Sequence, residues 1–424
     1  MVKIKWGEFD FKKFICKKTE VQEIQELNDK ELLFKVKNGL GKLNMRYVKD
    51  ENDETKVTYF LGDTSLIMAN SQYCPTCSVM IQLAEGREKV DKSIIEILNN
   101  INSIKNLNDG FEKIKSLLSL LDEGYYILKE VDLIPTDGEG NYFWNLNNQS
   151  KNYSASADYY FSNEGLIVGA PKFMLPSQGT NSYDKERVEY YRKRILNGDK
   201  LFGIAIELRG FMALLIDGHH KATAAYLEGK TLSCITITNV YTFSNHNNKE
   251  GIYYCDNRIS FDELNNGEEI KAYYNKKNSS EKVKNNNEKL ILQPKYTNPI
   301  NIGKSKVQYP DCRAIALSTL SEDTSEEKIQ QLLNYIGEDP LEELEYIFYN
   351  FKVNDKSKAR ELCLKILSKE EFMSIWDICI EFLSQYRDEK VEEVLINFLV
   401  EYDKYTCSDY KSIKNIIDNY LGDN

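Results

Sequence analysis

The sequence is poor in histidine, proline and tryptophan, with 3, 8 and 3 of these residues among 424. It has no apolar run close to the roughly 20 residues needed to cross a bilayer. Residues 1–6, MVKIKW, lack the apolar stretch of a signal peptide. We therefore expect a cytoplasmic protein without a membrane partner.

The chain also lacks an excess of positive charge, because 55 lysines and arginines face 66 acidic residues and the net charge is −11. Binding to nucleic acid through counterion release needs clustered Lys and Arg, so the composition argues against a nucleic-acid partner and leaves room only for a local basic groove. The hydrophobic share of 42% and charged share of 29% are typical of globular domains.

Hydrophobic patterning predicts an α+β multidomain protein. Segments rich in β-branched and aromatic residues and bounded by turn residues, such as 56–61, predict strands, and apolar residues at helical spacing after Ser93 predict amphipathic helices. Lys271–Glu288 is too polar to bury a face and predicts a linker or exposed loop. We expect a small N-terminal α/β region over 1–125, an α/β domain over 126–245, an irregular linker over 246–300 and an α-helical domain over 301–424.

Two features leave alternatives open. The helical pattern of 301–424 fits HEAT-type paired repeats, whose concave face would dock a partner protein, and equally fits an irregular bundle. The pair Cys74 and Cys77, in the motif Cys-Pro-Thr-Cys, would be half of a zinc site, a redox pair or a plain structural turn, and no second pair with ligand spacing follows it.

The most informative segment runs from Gly203 to Gly229. Two apolar runs flank Gly210, and a run of helix formers follows and stops at Gly229, which predicts strand, strand, turn and helix. The turn reads Asp-Gly-His-His-Lys over 217–221. At such a corner the unpaired amides and positive dipole end of the helix attract an anion.

The composition of the turn strengthens this hypothesis. Two of the three histidines are adjacent here, as His219 and His220, and Lys221 follows them. Cationic side chains in a first turn oppose the helix dipole, so a bound phosphate would explain their presence. Gly218 would let the backbone approach that phosphate closely. The alternatives are an ordinary helix cap at Asp217 with polar surface histidines, and a zinc site, which adjacent histidines fit poorly.

The motif from Asp217 to Ala225 resembles the turn of the ParB/sulfiredoxin superfamily, which lies between a strand and an Ala-rich helix. Lys221 replaces the usual arginine, which keeps the charge and loses the bidentate fork. The resemblance covers about 173–240. It implies a ParB/sulfiredoxin-like nucleotide-binding domain, and the segment from Pro176 to Tyr191 is similar to the entry segment and first helix of the free serine kinases in this superfamily.

The resemblance implies roles for individual residues. Phosphates of ATP or another nucleotide would lie on Gly218, His219, His220, Lys221 and Thr223, with Gln178 nearby. His220, Asp217 and Glu186 would be catalytic, with Mg²⁺ and the acceptor proton handled by Asp217 or Glu186; Glu189 and Asp184 are substitutes for Glu186. A sulfiredoxin reaction is excluded because Gly218 stands where its cysteine belongs.

We therefore expect a nucleotide-binding phosphotransferase that acts on an unidentified acceptor. Two alternatives stay open. One is a regulatory module that senses a nucleotide or DNA end without turnover, and the other is a nuclease that uses Asp217, His219 and His220 with a divalent metal. Members of this superfamily differ in activity, so the fold alone does not choose among them.

Overall fold

The structure is a computed structural model in which two compact units, Met1–Tyr309 and Pro310–Asn424, are each built around their own core. It describes residues 18–49, 53, 55–70, 81–99, 104–146, 170–209, 211–244, 249–255, 257–281, 298–334, 340–402 and 408–422. Cys74 and Cys77 lie outside the described residues. Within the described residues, no helix has the length and apolar character of a membrane span.

The described residues of the first unit form three sheets. The strands are β1 (Glu20–Asn28), β2 (Glu31–Lys37), β3 (Leu43–Lys49), β4 (Thr55–Leu61), β5 (Thr64–Asn70), β6 (Ile81–Leu83), β7 (Gly124–Leu133), β8 (Phe173–Pro176), β9 (Phe202–Arg209), β10 (Met212–Asp217), β11 (Leu232–Asn239), β12 (Tyr241–Ser244), β13 (Glu250–Tyr254) and β14 (Asn257–Ser260). The largest sheet has the order β1-β2-β7-β11-β9-β10-β8, and the others are β3-β4-β5-β6 and β12-β13-β14.

Among the residues that the structure describes, five α-helices accompany these sheets: α1 (Lys92–Asn99), α2 (Leu107–Leu118), α3 (Lys185–Leu196), α4 (His219–Leu227) and α5 (Gly267–Glu281). On the large sheet, α3 and α4 share a core that includes Val188, Tyr191, Ala222 and Leu215. The α2 helix packs by Phe111 against Phe34 of β2, with ring centroids 5.7 Å apart. The mixed α/β character that the patterns predict is confirmed.

The predicted boundary between 1–125 and 126–245 does not separate two cores. Strand β2 pairs with β7 from Glu31 opposite Lys129 to Val36 opposite Gly124, and β7 pairs with β11 in turn. The N-terminal strands therefore extend the sheet that carries the Gly218 turn. Hydrophobic patterning identifies each strand but carries no information on which distant strand it joins.

The prediction of an irregular linker over 246–300 is corrected for its first part. Strands β13 and β14 form a hairpin, and α5 covers 267–281, where the sequence predicts a loop. Ile270 and Tyr274, one helical turn apart, are 0% and 6% exposed and pack with Tyr125. Two apolar residues at i and i+4 are enough to bury one face of a helix that is polar elsewhere.

The second unit is helical, and its described residues include no strand. Its helices are α6 (Cys312–Ser318), α7 (Glu326–Leu333), α8 (Leu341–Asn354), α9 (Lys356–Leu367), α10 (Trp376–Leu383), α11 (Glu389–Tyr402) and α12 (Ser408–Gly422). Asp311, Ser325 and Asp355 accept amides at the starts of α6, α7 and α9, which explains where these helices begin. Its helical character is confirmed, and the HEAT-type arrangement stays a prediction.

Glu228 holds α4 against α3 and the segment near residue 306. Its side chain is 1% exposed; it accepts from Arg192 at 2.7 Å and from Lys306. Burial alone would raise the pKa of Glu228, but the hydrogen bonds from Lys306 and Arg192 lower it. The carboxylate therefore stays ionised and depends on both cations.

We expect Arg192→Ala to lower the free energy of unfolding by roughly 1–3 kcal/mol, because it leaves a buried carboxylate with one partner fewer. Arg194→Ala on the same helix is the matched control. Its ion pair with Asp199 is partly exposed, and its loss should cost about 1 kcal/mol or less. Urea denaturation followed by tryptophan fluorescence measures both variants, and equal losses would contradict this account of Glu228.

Candidate functional site

The strand-to-helix turn forms where the sequence predicts it. β9 and β10 form an antiparallel hairpin, β10 ends at Asp217, and α4 begins at His219. Gly218 has φ +107°, a left-handed conformation that favours glycine. A Cβ there would also lie 3.1 Å from the Cα of Gly203. Within the described part of the chain, no side chain caps the first turn of α4, in contrast to α3, which Asp184 caps.

Both imidazoles of the turn are buried, with His219 2% and His220 6% exposed. The indole of Trp144 packs against them, with ring centroids 5.1 Å from His219 and 5.2 Å from His220. The amide of Ser177 donates to Nε2 of His219 at 3.2 Å, and the amide of Asp184 donates to Nε2 of His220 at 3.0 Å. Because an amide can only donate, both Nε2 atoms are unprotonated.

The charge of these histidines differs from the expectation. Burial lowers the pKa of His219 far below its usual value, and Arg87 lowers it further. Burial lowers the pKa of His220 to about 4, with a smaller contribution from Arg187. Both rings are therefore neutral at neutral pH. The predicted positive charge on His219 and His220 is corrected, since the sequence gives no measure of how deeply the turn is buried.

Lys221 and Thr223 are committed to the protein interior. The Nζ of Lys221 donates to the carbonyl of Phe202 at 2.8 Å, and burial lowers the pKa of this ammonium. The hydroxyl of Thr223 donates to the carbonyl of His219 at 2.9 Å and meets the hydroxyl of Tyr142 at 2.5 Å. Thr223 thus fixes the first turn of α4, and the predicted contact of its hydroxyl with phosphate does not agree with these bonds.

Arg87 joins the turn from a distant part of the sequence. Its Nη1 donates to the carbonyl of Ile216 at 2.7 Å and to the carboxylate of Asp217 at 3.1 Å. Its backbone amide donates to the carbonyl of Ser177 at 2.7 Å. The Arg87 guanidinium therefore lies beside the Gly218 turn, with the carboxylate of Asp217 as its counter-ion.

These groups line a cavity of about 450 Å³, here called the turn cavity. Asp217, Gly218, His219, His220, Lys221 and Gln178 all line it, so six of the eight residues predicted for nucleotide binding and catalysis come together. Four cationic residues, Arg87, Lys92, Arg187 and Lys221, and three acidic residues, Glu88, Glu96 and Asp217, are among its lining. The turn cavity therefore carries a small excess of positive charge in a chain of net charge −11.

Of the predicted residues Gln178 and Glu186, the described lining of the turn cavity includes only Gln178. The backbone carbonyl of Gln178 accepts from Nε1 of Trp144 at 2.6 Å, which holds the entry segment against the histidines. Glu186 is exposed in the first turn of α3, and its amide donates to Asp184. The described lining of the turn cavity does not include Glu186, so the structure does not bring this carboxylate to the other predicted residues.

Two arginines of the turn cavity are missing from the sequence prediction. Arg187 follows the predicted Glu186 by one residue, so the sequence predicts this segment of the site but not the Arg187 side chain. Arg87 lies 130 residues before Asp217, and no local pattern connects them. Only the fold shows that Arg87 lies beside the two neutral histidines and pairs with Asp217.

The comparisons with known proteins add no relative: the chain matches no protein-family model, no curated protein and no solved structure. The described residues contain no group of three or more His, Cys, Asp or Glu side chains arranged to hold a metal ion. The interpretation of the site therefore depends on its own geometry.

The low pKa of His220 predicts a loss of stability in mild acid. The unfolded chain takes up a proton on His220 near pH 6.5, whereas the folded chain does so only near pH 4. Unfolding binds a proton between these values, so stability falls as the pH falls. Between pH 7 and pH 5 we expect His220 to cost about 2 kcal/mol.

The variant His220→Gln should lose about 2 kcal/mol less than the wild type over this interval, because Gln keeps an acceptor for the Asp184 amide and does not titrate. Urea denaturation at pH 7 and pH 5 measures the difference. Equal pH dependence in the two proteins would show that His220 is not buried as a neutral ring.

Proposed function

We propose that the turn cavity binds the phosphates of ATP or a related nucleotide, and that the protein is a nucleotide-dependent phosphotransferase of the ParB/sulfiredoxin-like superfamily. The observation that carries the proposal is the convergence of an uncapped helix N-terminus with the guanidinium groups of Arg87 and Arg187 on one cavity. Backbone amides and arginines are the donors that phosphate oxygens prefer.

The cavity fits such a ligand in size and chemistry. A volume of about 450 Å³ lies within the usual range of ligand pockets. Nδ1 of His219 is a fully buried polar atom without a hydrogen-bond partner among the described residues, although its ring lines the cavity. Since Nε2 accepts an amide, Nδ1 carries the proton of the neutral ring and would donate to an oxygen.

Bound ATP would supply the phosphoryl group. The chain would contribute positioning and charge, which make up most of the catalysis of phosphoryl transfer. Gly218 gives the backbone room to approach the phosphates, and Arg187 and Arg87 would neutralise their oxygens. The neutral imidazoles fix the shape of the turn through the amides of Ser177 and Asp184.

Mg²⁺ does not fit as an ion held by the protein alone. The carboxylate of Asp217 is paired with Arg87, and Glu186 does not line the cavity as far as the structure describes it. A magnesium ion would therefore arrive with the nucleotide, bound to its phosphates. The same arrangement argues against the nuclease alternative, because Asp217, His219 and His220 do not present their ligand atoms to a common point.

Binding without turnover is the second candidate function, and the histidines favour it. Their Nε2 atoms already accept backbone amides, so neither is available there as a general base. Glu88 and Glu96, which line the cavity, are the carboxylates left to accept a proton from an acceptor hydroxyl.

Conversion of ATP to ADP with free serine as a probe acceptor would favour the transferase, and bound ATP that stays intact would favour a sensor.

Isothermal titration calorimetry with ATP and ADP tests the proposal directly. We expect saturable binding by the wild type and a roughly 10- to 100-fold weaker affinity in Arg187→Ala, because one charged hydrogen bond to phosphate is lost. Arg187 is exposed in the first turn of α3, so this change should not alter the fold.

Lys185→Ala is the matched control, since Lys185 is an exposed cation of the same helical turn that lies outside the described lining of the cavity. Its affinity should stay within about twofold of the wild type, because a distant surface charge is screened by salt. Absence of ATP and ADP binding by the wild type would contradict the proposal. Equal losses of affinity in both variants would show only nonspecific attraction between the nucleotide and surface cations.

A further inference from the structure

A second cavity, of about 470 Å³, lies in the first unit and shares no lining residue with the turn cavity. Seven of its described lining residues are tyrosines, so we call it the tyrosine cavity. They come from β3, β4, β7, β12, β13 and α5, which are far apart in sequence. Its size is that of a ligand pocket, and aromatic walls with a few polar groups are the usual lining of such pockets.

The deeper tyrosines present fixed rings, because backbone carbonyls accept their hydroxyls. Tyr59 donates to Glu207 at 2.6 Å, Tyr126 to Asp122 at 3.1 Å and Tyr274 to Val240 at 3.0 Å. Burial raises the pKa of Tyr126 and of Tyr274, so these phenols stay neutral. A ligand would therefore meet immobile ring surfaces at little cost in side-chain entropy.

The electrostatic balance of the tyrosine cavity selects a neutral ligand. Among its described lining residues, Asp122 is the acid and Lys277 is the base, so their charges cancel. Single-stranded nucleic acid needs aromatic rings along a positively charged groove, which this lining does not provide. Asn239 and Thr242 add uncharged polar side chains that suit hydroxyls, whereas the side-chain amide of Asn44 already bonds the carbonyl of Gly41 and Nε of Arg46.

The described ring geometry offers single aromatic faces and not a slot between two rings. Tyr241 and Tyr253 already stack on each other, with centroids 5.3 Å apart and planes at 25°, which leaves no room for an aromatic plate between them. Tyr125 and Tyr274 are tilted by 35°. Single ring faces suit a sugar, which offers one face of C–H bonds to the negative face of an aromatic ring and turns its hydroxyls to polar neighbours.

We propose that the tyrosine cavity is a binding site for a neutral saccharide. Tyr241, 40% exposed, forms the accessible rim together with Tyr47, 46% exposed. A pyranose ring stacks on this rim, and its hydroxyls reach Asn239, at the end of β11, and Asp122. This site is independent of the nucleotide proposed for the turn cavity.

Saturation-transfer difference NMR on the full chain tests this inference, with glucose, galactose, mannose and N-acetylglucosamine as probes and adenosine and uridine as flat comparators. We expect saturation of the C–H protons of at least one sugar. In Tyr241→Ala, the affinity for that sugar should fall by about fivefold, the contribution of one aromatic face.

Tyr190→Ala is the matched control, because Tyr190 is a 57% exposed tyrosine of α3 that lies outside the described lining of the tyrosine cavity. It should bind the sugar as the wild type does. The inference is overturned if none of the four sugars gives a signal, if the nucleosides alone do, or if Tyr241→Ala and Tyr190→Ala bind equally well. Far-ultraviolet circular dichroism of both variants confirms that they are folded.

Discussion

Two backbone amides that donate to imidazoles determine the character of the Gly218 turn. The amides of Ser177 and Asp184 bind the Nε2 atoms of His219 and His220, so the turn is joined to the end of β8 and to the start of α3. These bonds fit neutral rings, because a protonated nitrogen could not accept them. Burial is the larger cause of the neutrality, since it lowers the pKa of both histidines.

Because the histidines of the turn are neutral, the proposed attraction for a phosphate would come mainly from Arg87 and Arg187. Their planar guanidinium groups match the geometry of phosphate oxygens. Arg87 comes from a short 3-10 helix after β6, and Arg187 from the first turn of α3. The N-terminal region, which the sequence treats as a separate domain, thus completes the turn cavity with six of its residues, among them Arg87.

The parts of the fold that could be predicted are those fixed by local chemistry. The order β9, β10, Gly218 turn, α4 and β11 follows from apolar runs, a glycine at a left-handed position and a run of helix formers. The pairing of β2 with β7 and the arrival of Arg87 depend on contacts across about 90 to 130 residues, which periodicity does not encode. The neutral state of His219 and His220 could not be predicted either, because it depends on burial, which is a property of the assembled fold. In α5, the buried residues Ile270 and Tyr274 are too few to give a helical hydrophobic period, so the polar segment has the sequence pattern of a loop.

The sheet also explains why two cavities can coexist without interference. β10 runs antiparallel to β9, and Asp217 at its end lies opposite Ile204, near the start of β9. The tyrosine cavity takes Ile206 of β9 and Asn239 at the end of β11, which runs parallel to β9. The two cavities therefore lie toward opposite ends of the same strands. At strand ends the connecting loops can differ in sequence while the sheet keeps its structure. Interior positions of the strands between the two cavities include Ala205, Ala213 and Ile235, each 0% exposed, and such tightly packed strands resist displacement.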